Sequence, residues 1–273
     1  MLLGLVAVIV GLFAACAAYL YFFQEKVVFV PSREIVLTPD EVGLAWEDVY
    51  LEVEPGVKIN VWFIYAPSST PRTVLFCPGN AGNVSRRVFT AQFLTALGVN
   101  VLLVDYRGYG RSQGTPSERN VYADVRAAYN WLTQEKNIPA EDIYLFGRSL
   151  GGAIAIEVAG QVPVAGLIVE SSFTSAAEVG RRMFPFMPVK MLSRYRFDNA
   201  AKIGRLTCPV LITHSPDDDL IPYDMGRKLY ELAPEPKAFI ELSGTHNERL
   251  YYESDIYVNG LREFLGLDQN SPN

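Results

Sequence analysis

Residues suited to metal and redox chemistry are scarce in this sequence. Its 273 residues include only two histidines, His214 and His246, and three cysteines, Cys16, Cys77 and Cys208. No Cys-x-x-Cys pair or Cys/His cluster occurs, so no metal site is expected, and an odd, sparse cysteine count supplies no disulfide framework. Cys77 and Cys208 border apolar runs and read as small buried thiols. There is no polybasic run, and the formal net charge is −6. Nucleic-acid binding needs clustered basic side chains to displace phosphate counterions, so that class is excluded, and a polybasic lipid-binding segment is likewise missing. Charge is absent altogether from residues 1–23, and no internal repeat is found.

That uncharged opening, MLLGLVAVIVGLFAACAAYLYFF, is the first positive signal. At ~1.5 Å per residue it makes roughly 35 Å of helix, enough to cross a hydrocarbon layer of ~30 Å. Tyr19 and Tyr21 near its end suit an interfacial aromatic belt. A cleaved signal peptide is the rival, but the run is long and no Lys or Arg precedes it. Phe13-Ala14-Ala15-Cys16 only loosely follows a lipoprotein cleavage pattern, and the apolar stretch continues beyond it. The expectation is a single-pass N-terminal anchor over residues 1–23. Lys26 and Arg33 follow it, so the positive-inside rule directs the remaining chain to the cytoplasm. Apart from Cys16 the segment has no acid, base or nucleophile, and no part in the chemistry is expected of it.

The length allows one large α/β domain or two small ones. Residues 24–47, with Pro31 and Pro39, read as a connector. Residues 49–53 and 58–65 are strand-like runs around a Glu54-Pro55-Gly56 hairpin signal. Strands are then expected at 73–77, 99–104, 143–146, 165–169, 210–213 and 238–242. Helices are expected at 84–97, 118–136, 150–160, 223–232 and 247–264. Several of the strands are unbroken apolar runs, which implies burial on both faces. The fold class is therefore α/β: a mostly parallel, doubly wound sheet preceded by an antiparallel hairpin, over residues 48–266. Within it, residues 174–206 break the rhythm with Phe184-Pro185-Phe186-Met187-Pro188, and read as a small lid over a site. Residues 267–273 form a polar tail.

Gly147-Arg148-Ser149-Leu150-Gly151 follows a strand and opens an Ala-rich helix, the context of a nucleophile elbow with Ser149 at its apex. A serine needs a base. His246 sits in a loop after the last strand, where it can reach back over the elbow, whereas His214 ends a strand and reads as structural. A carboxylate on the loop after residue 213 would orient the histidine, and Asp217, Asp218 and Asp219 are all candidates. Pro78-Gly79-Asn80-Ala81-Gly82-Asn83, between a strand and a helix, can supply an oxyanion amide near Asn80, with the second from Leu150. The Gly-rich stretch from Asp105 to Ser112 lacks both the P-loop ending and the G-x-G-x-x-G spacing, so it reads as a packed turn.

PGNAGN, DYRGYGRSQG, FGRSLGG, ESSF, HSPDDDLIP and GTHNE, in that order over residues 49–264, resemble the α/β-hydrolase superfamily of serine hydrolases. More narrowly they are similar to a membrane-anchored, small-lid branch that includes protein depalmitoylases and related esterases. The resemblance implies an α/β-hydrolase fold and aligns the catalytic aspartate with Asp218. Pro78 stands where the family usually has a histidine, and Ser215 where it usually has glycine. The implied activity is cleavage of carboxylic esters or thioesters through Ser149, His246 and Asp218, with no cofactor. A lid and a tether together suggest a lipid-like acyl substrate, small or carried on a protein. A peptidase or amidase with the same triad, or a non-catalytic binding scaffold, are the alternatives.

Overall fold

The computed structural model describes residues 2–248 and 250–267. In chain order its elements begin with α1 (Leu2–Phe22), α2 (Gln24–Val28) and β1 (Val30–Pro31). The hairpin β2 (Trp46–Glu54) and β3 (Val57–Ile64) follows, then β4 (Thr73–Cys77), β5 (Ala81–Gly82), α3 (Val88–Leu97), β6 (Asn100–Val104) and α4 (Glu118–Gln134). The second half holds β7 (Ile143–Arg148), α5 (Leu150–Ala159), β8 (Gly166–Glu170), α6 (Ala176–Met183), α7 (Val189–Leu192) and α8 (Asn199–Ile203). It closes with β9 (Val210–His214), α9 (Tyr223–Leu232), β10 (Lys237–Glu241) and α10 (Asp255–Phe264).

Eight strands form one sheet in the order β10-β9-β8-β7-β4-β6-β3-β2. β2–β3 and β3–β6 pair antiparallel and all other neighbours pair parallel, so the sheet is the expected doubly wound one with an N-terminal hairpin. This is the α/β-hydrolase fold. Its parallel strands are apolar throughout because both faces are covered. Along β4, Leu75 and Cys77 enter one core with α4 and α5, while Val74 and Phe76 enter the other with α3 and α10. β4 lies between β6 and β7, which makes the ends of β4 and β7 a topological switch point, where open α/β sheets place ligands.

Two segments differ in detail from the sequence expectations. Residues 24–47 are more than a connector: α2 is helical, and β1 pairs in parallel with β5 through Val30–Ala81 and Pro31–Gly82. The helix expected at 247–264 is shorter, because Ser254 is extended (φ −80°, ψ 119°) and separates a 3-10 turn, Leu250–Glu253, from α10. Within the excursion at 174–206 the helices differ in burial. α6 and α7 are peripheral, whereas α8 is held to the core by buried Ile203 and by Asn199, whose side chain donates to the Phe173 carbonyl at 2.7 Å. The expected polar tail from Asp268 onward lies outside the described residues.

α1 carries Leu3–Phe22, a helix long and apolar enough to cross a membrane, with mean hydropathy 2.5 and none of that span buried against the protein. At its foot Gln24 clasps the segment after α7: its side chain donates to the Leu192 carbonyl at 2.5 Å and accepts from the Arg194 amide at 2.7 Å.

Candidate active site

Ser149 occupies the turn between β7 and α5 with φ 55° and ψ −121°, a conformation that costs a non-glycine residue of order 1–3 kcal/mol. The surroundings hold it there. Its amide donates to the Glu170 carbonyl at 2.9 Å, and its carbonyl accepts from Ser172 Oγ at 2.8 Å. Glycine is demanded on both sides. A Cβ on Gly151 would lie 1.8 Å from the Cys77 carbonyl oxygen, and one on Gly147 would lie 2.2 Å from the Gly151 oxygen. Small residues thus let β4, β7 and α5 converge behind the serine.

Of the two histidines, His246 is the one that meets this turn. Its Nε2 is 3.1 Å from Ser149 Oγ, and its Nδ1 is 2.7 Å from Asp218 Oδ2. Ser149 is 9% exposed and His246 5%, so the contact is nearly dry. Asp218 is placed by its own loop. Its Oδ1 accepts the amides of Ile221 at 2.7 Å and Leu220 at 3.0 Å. Burial alone would raise the Asp218 carboxyl, but hydrogen bonds from His214, His246 and the Ile221 amide outweigh it and hold the group well below the usual carboxylate range. Asp219 plays a different part, accepting the His246 amide at 3.0 Å, and Asp217 is exposed. His214 lies beneath the same loop: its Nε2 donates to the Ile221 carbonyl at 2.9 Å and closes the turn that carries Asp218.

Asn80 and Leu150 share a cavity with Ser149, on the side where the loop after β4 approaches the elbow. A Cβ on Gly79 would be 3.4 Å from the Ser149 Cβ. Leu150 begins α5, where backbone amides have no intrahelical partner and the helix dipole favours negative charge.

Several residues that brace this geometry escaped the sequence reading. The stretch from Asp105 is more than a packed turn: Tyr106 Oη donates to the Pro78 carbonyl at 2.9 Å and Tyr109 Oη to the Asn80 carbonyl at 2.7 Å. The Asn80 carbonyl also accepts the Val30 amide at 2.9 Å. Arg148 donates to the His246 carbonyl and pairs with Glu170 at 3.2 Å, and Tyr257 donates to the same buried carboxylate at 2.5 Å. The only signal was the placing of DYRGYG and ESSF after buried strands.

The apolar cavity that Ser149 lines measures about 190 Å³, with Val27, Val28, Phe173, Val179, Met183 and Leu220 among its walls. None of its described lining residues is charged.

Comparison with known proteins places this geometry among enzymes. Residues 68–199 match the family described as serine aminopeptidase, S33. The chain is 32% identical to the α/β hydrolase domain-containing protein WAV2 of Arabidopsis thaliana, over 93% of this chain and 91% of that one. It is 30% identical to the lysophosphatidylserine lipase ABHD12 of Danio rerio, over 97% of this chain and 81% of the relative. Among solved structures, the Pyrococcus furiosus esterase Pf2001 is similar with a TM-score of 0.71 at 22% identity, over 87% of this chain and 98% of that one. The chain belongs to the α/β-hydrolase family of serine hydrolases.

Proposed function

We propose that the protein hydrolyses carboxylic ester or thioester bonds of a lipid-like acyl substrate, using Ser149, His246 and Asp218, while α1 anchors it in a membrane. The observation that carries this reading is the unbroken hydrogen-bond line Ser149–His246–Asp218 at the edge of an uncharged cavity. Ser149 Oγ attacks the carbonyl carbon as His246 Nε2 takes its proton, and the tetrahedral oxyanion is received by the amides of Leu150 and Asn80. The intermediate collapses to an acyl-enzyme, and the imidazolium returns the proton to the departing alcohol or thiol. Water then repeats the sequence with the acyl-enzyme, freeing the acid and restoring Ser149. Asp218 stays ionised throughout, keeps the proton of neutral His246 on Nδ1 and stabilises the imidazolium.

The relatives lend weight to the substrate class, since one is named a lipase and a structural neighbour an esterase. The matched family's description favours a second reading, an aminopeptidase. A peptide's α-amine calls for a carboxylate near the nucleophile, and the cavity's described lining offers none. The test is labelling with an active-site-directed fluorophosphonate, followed by turnover of p-nitrophenyl esters, acyl-thioesters and aminoacyl amides of graded length. Labelling that vanishes in Ser149→Ala, with ester or thioester turnover exceeding amide turnover, is the expected result. Labelling retained in Ser149→Ala moves the nucleophile elsewhere, and amide preference makes the protein a peptidase.

A further inference from the structure

A second apolar cavity, of about 90 Å³, adjoins the one at Ser149 and shares Val27, Val28, Ala176, Gly180 and Phe184 with it. Its remaining walls include Leu20 of α1, together with Met187, Val189 and Leu192 of the lid. Two cavities with common walls therefore run from Ser149 to the last turns of the helix long enough to span a membrane. The lid around them is unlike the rest of the molecule. Residues 174–206 carry seven Lys and Arg against two acidic residues, Glu178 and Asp198, in a chain whose net charge is −6. Arg182 and Lys202 pair with Asp224 and Glu157, while Arg181, Lys190, Arg194 and Arg196 are exposed. These basic residues are dispersed in sequence, which is why no polybasic run announces them. The same lid exposes Phe186 (88%) and Met191 (85%), bulky apolar side chains facing solvent in a protein fragment only a few turns long. Below it, the Arg194 guanidinium lies 6.0 Å from the Tyr21 ring centre and the Lys26 ammonium 5.2 Å from that of Phe23. Aromatic rings beside cations at the end of an apolar helix mark the depth of lipid headgroups.

We infer that the substrate's acyl chain reaches Ser149 directly from the bilayer, through an apolar passage walled by the foot of α1, by α2 and by a basic lid that rests on anionic lipid. The inference rests on the hydrolase reading for its chemistry and adds the source and path of the substrate. A lid bearing exposed Phe186 and Met191 sinks those side chains into the headgroup–acyl boundary, where their apolar surface leaves water. The exposed Arg181, Lys190, Arg194 and Arg196 meet the anionic surface, which attracts each of them. The mouth at Leu20 and Leu192 then opens below the water interface, and a lipid moves its chain from one apolar medium to another. The juxtamembrane segment is thereby part of the substrate path, in addition to the tether expected of residues 1–23.

Two measurements on the full-length chain test the passage. In the first, Phe186→Trp is reconstituted in vesicles of phosphatidylcholine and phosphatidylglycerol brominated in the acyl chains. Its fluorescence, less that of the parent protein, is quenched if the lid sits in the interface. In the second, Val28→Trp narrows the junction of the cavities, and the ratio of dodecanoyl to butanoyl ester turnover falls about tenfold or more. Leu192→Trp, which fills only the outer cavity, takes its place if Val28→Trp does not melt cooperatively. An unquenched Trp at position 186 overturns the inference, as does a chain-length ratio that stays within about twofold in plugged variants that still cleave the butanoyl ester. Quenching does not depend on turnover. A quenched protein inert to every ester and to fluorophosphonate supports the bilayer-facing mouth and overturns the hydrolase reading.

Discussion

The guanidinium of Arg148, the residue just before Ser149, donates to the main-chain carbonyl of His246, 98 positions further along the chain. The elbow and the histidine loop are thus tied by a side chain that does not line the cavity at Ser149. Buried Glu170 fixes the other edge of the guanidinium, and the Tyr257 hydroxyl fixes Glu170. Arg148→Lys keeps a cation beside Glu170 and loses the planar fork. Its kcat on a soluble ester is expected to fall roughly ten- to a hundredfold at nearly constant KM, since a misplaced base costs the transition state rather than binding. Arg148→Met strands the Glu170 carboxylate and lowers the melting temperature as well. Equal kcat in Arg148→Lys and the parent would show that the histidine loop holds its place without the fork.

The three adjacent aspartates separate by role. Asp218→Asn presents the wrong partner to Nδ1 and is expected to lower kcat by ~10⁴. Asp219→Asn retains an oxygen that accepts the His246 amide and costs little, while Asp219→Ala loses that bond and falls between the two. Asp217→Asn leaves activity within about twofold, because its side chain is exposed. Steady-state kinetics of the four variants on one ester decides it: a sensitive Asp217 shifts the register of the loop by one residue.

Tyr109→Phe removes one of two donors from the Asn80 carbonyl and leaves the Val30 amide. One such bond contributes about 1 kcal/mol net. If all of it serves to hold the Asn80 amide towards the oxyanion, kcat falls about fivefold. Turnover equal to the parent's, with an equal melting temperature, would separate the tyrosine from the site.

Asp105 is 1% exposed and its Oδ1 accepts the Val84 amide at 2.8 Å. Burial pushes its carboxyl up to about 7, against the opposing pull of the Val84 amide, Arg87, Arg33 and Arg111. The unfolded chain loses this proton near the ordinary value of about 3.9, so between there and about 7 the folded state binds more protons. This group therefore lowers stability as pH rises through that window, by up to about 4 kcal/mol, and no further above it. Asp105→Asn keeps an accepting oxygen and no longer titrates. Its melting temperature is expected to gain on the parent's from about pH 4 to about pH 7. Parallel melting curves across that range would remove Asp105 as the source.

Much of this architecture is legible in the sequence because it depends on local pattern. The unbroken apolar run from Thr73 to Cys77 marks a strand covered on both faces, and β4 has those bounds. The glycines around Ser149 mark a turn that no side chain could enter, and they pack there against β4. With two histidines and one clear elbow, few pairings were possible, and His246 is the one beside Ser149. What stayed hidden depends on contacts between distant segments. Nothing in the spacing of Tyr109 tells that its hydroxyl reaches Asn80, nor that Gln24 clasps Leu192 and Arg194. Proline and weak periodicity made residues 24–47 look like slack chain. Their order comes from pairing with the loop after β4, a tertiary contact invisible to local propensity.

The parallel ladder between β1 and β5 sets where such a protein could be shed from a membrane and still work. Val30 donates to the carbonyl of Asn80, and Ser32 to that of Gly82, so the chain just after α2 doubles as a splint for the loop facing Ser149. Proteolytic release before Gln24 leaves the splint in place, and the freed enzyme keeps its turnover of a small soluble ester. Release after Ser32 removes the splint, and turnover of the same ester drops although Ser149, His246 and Asp218 are all retained. Comparing the two released forms distinguishes a sheddable enzyme from one that is silenced by the cut.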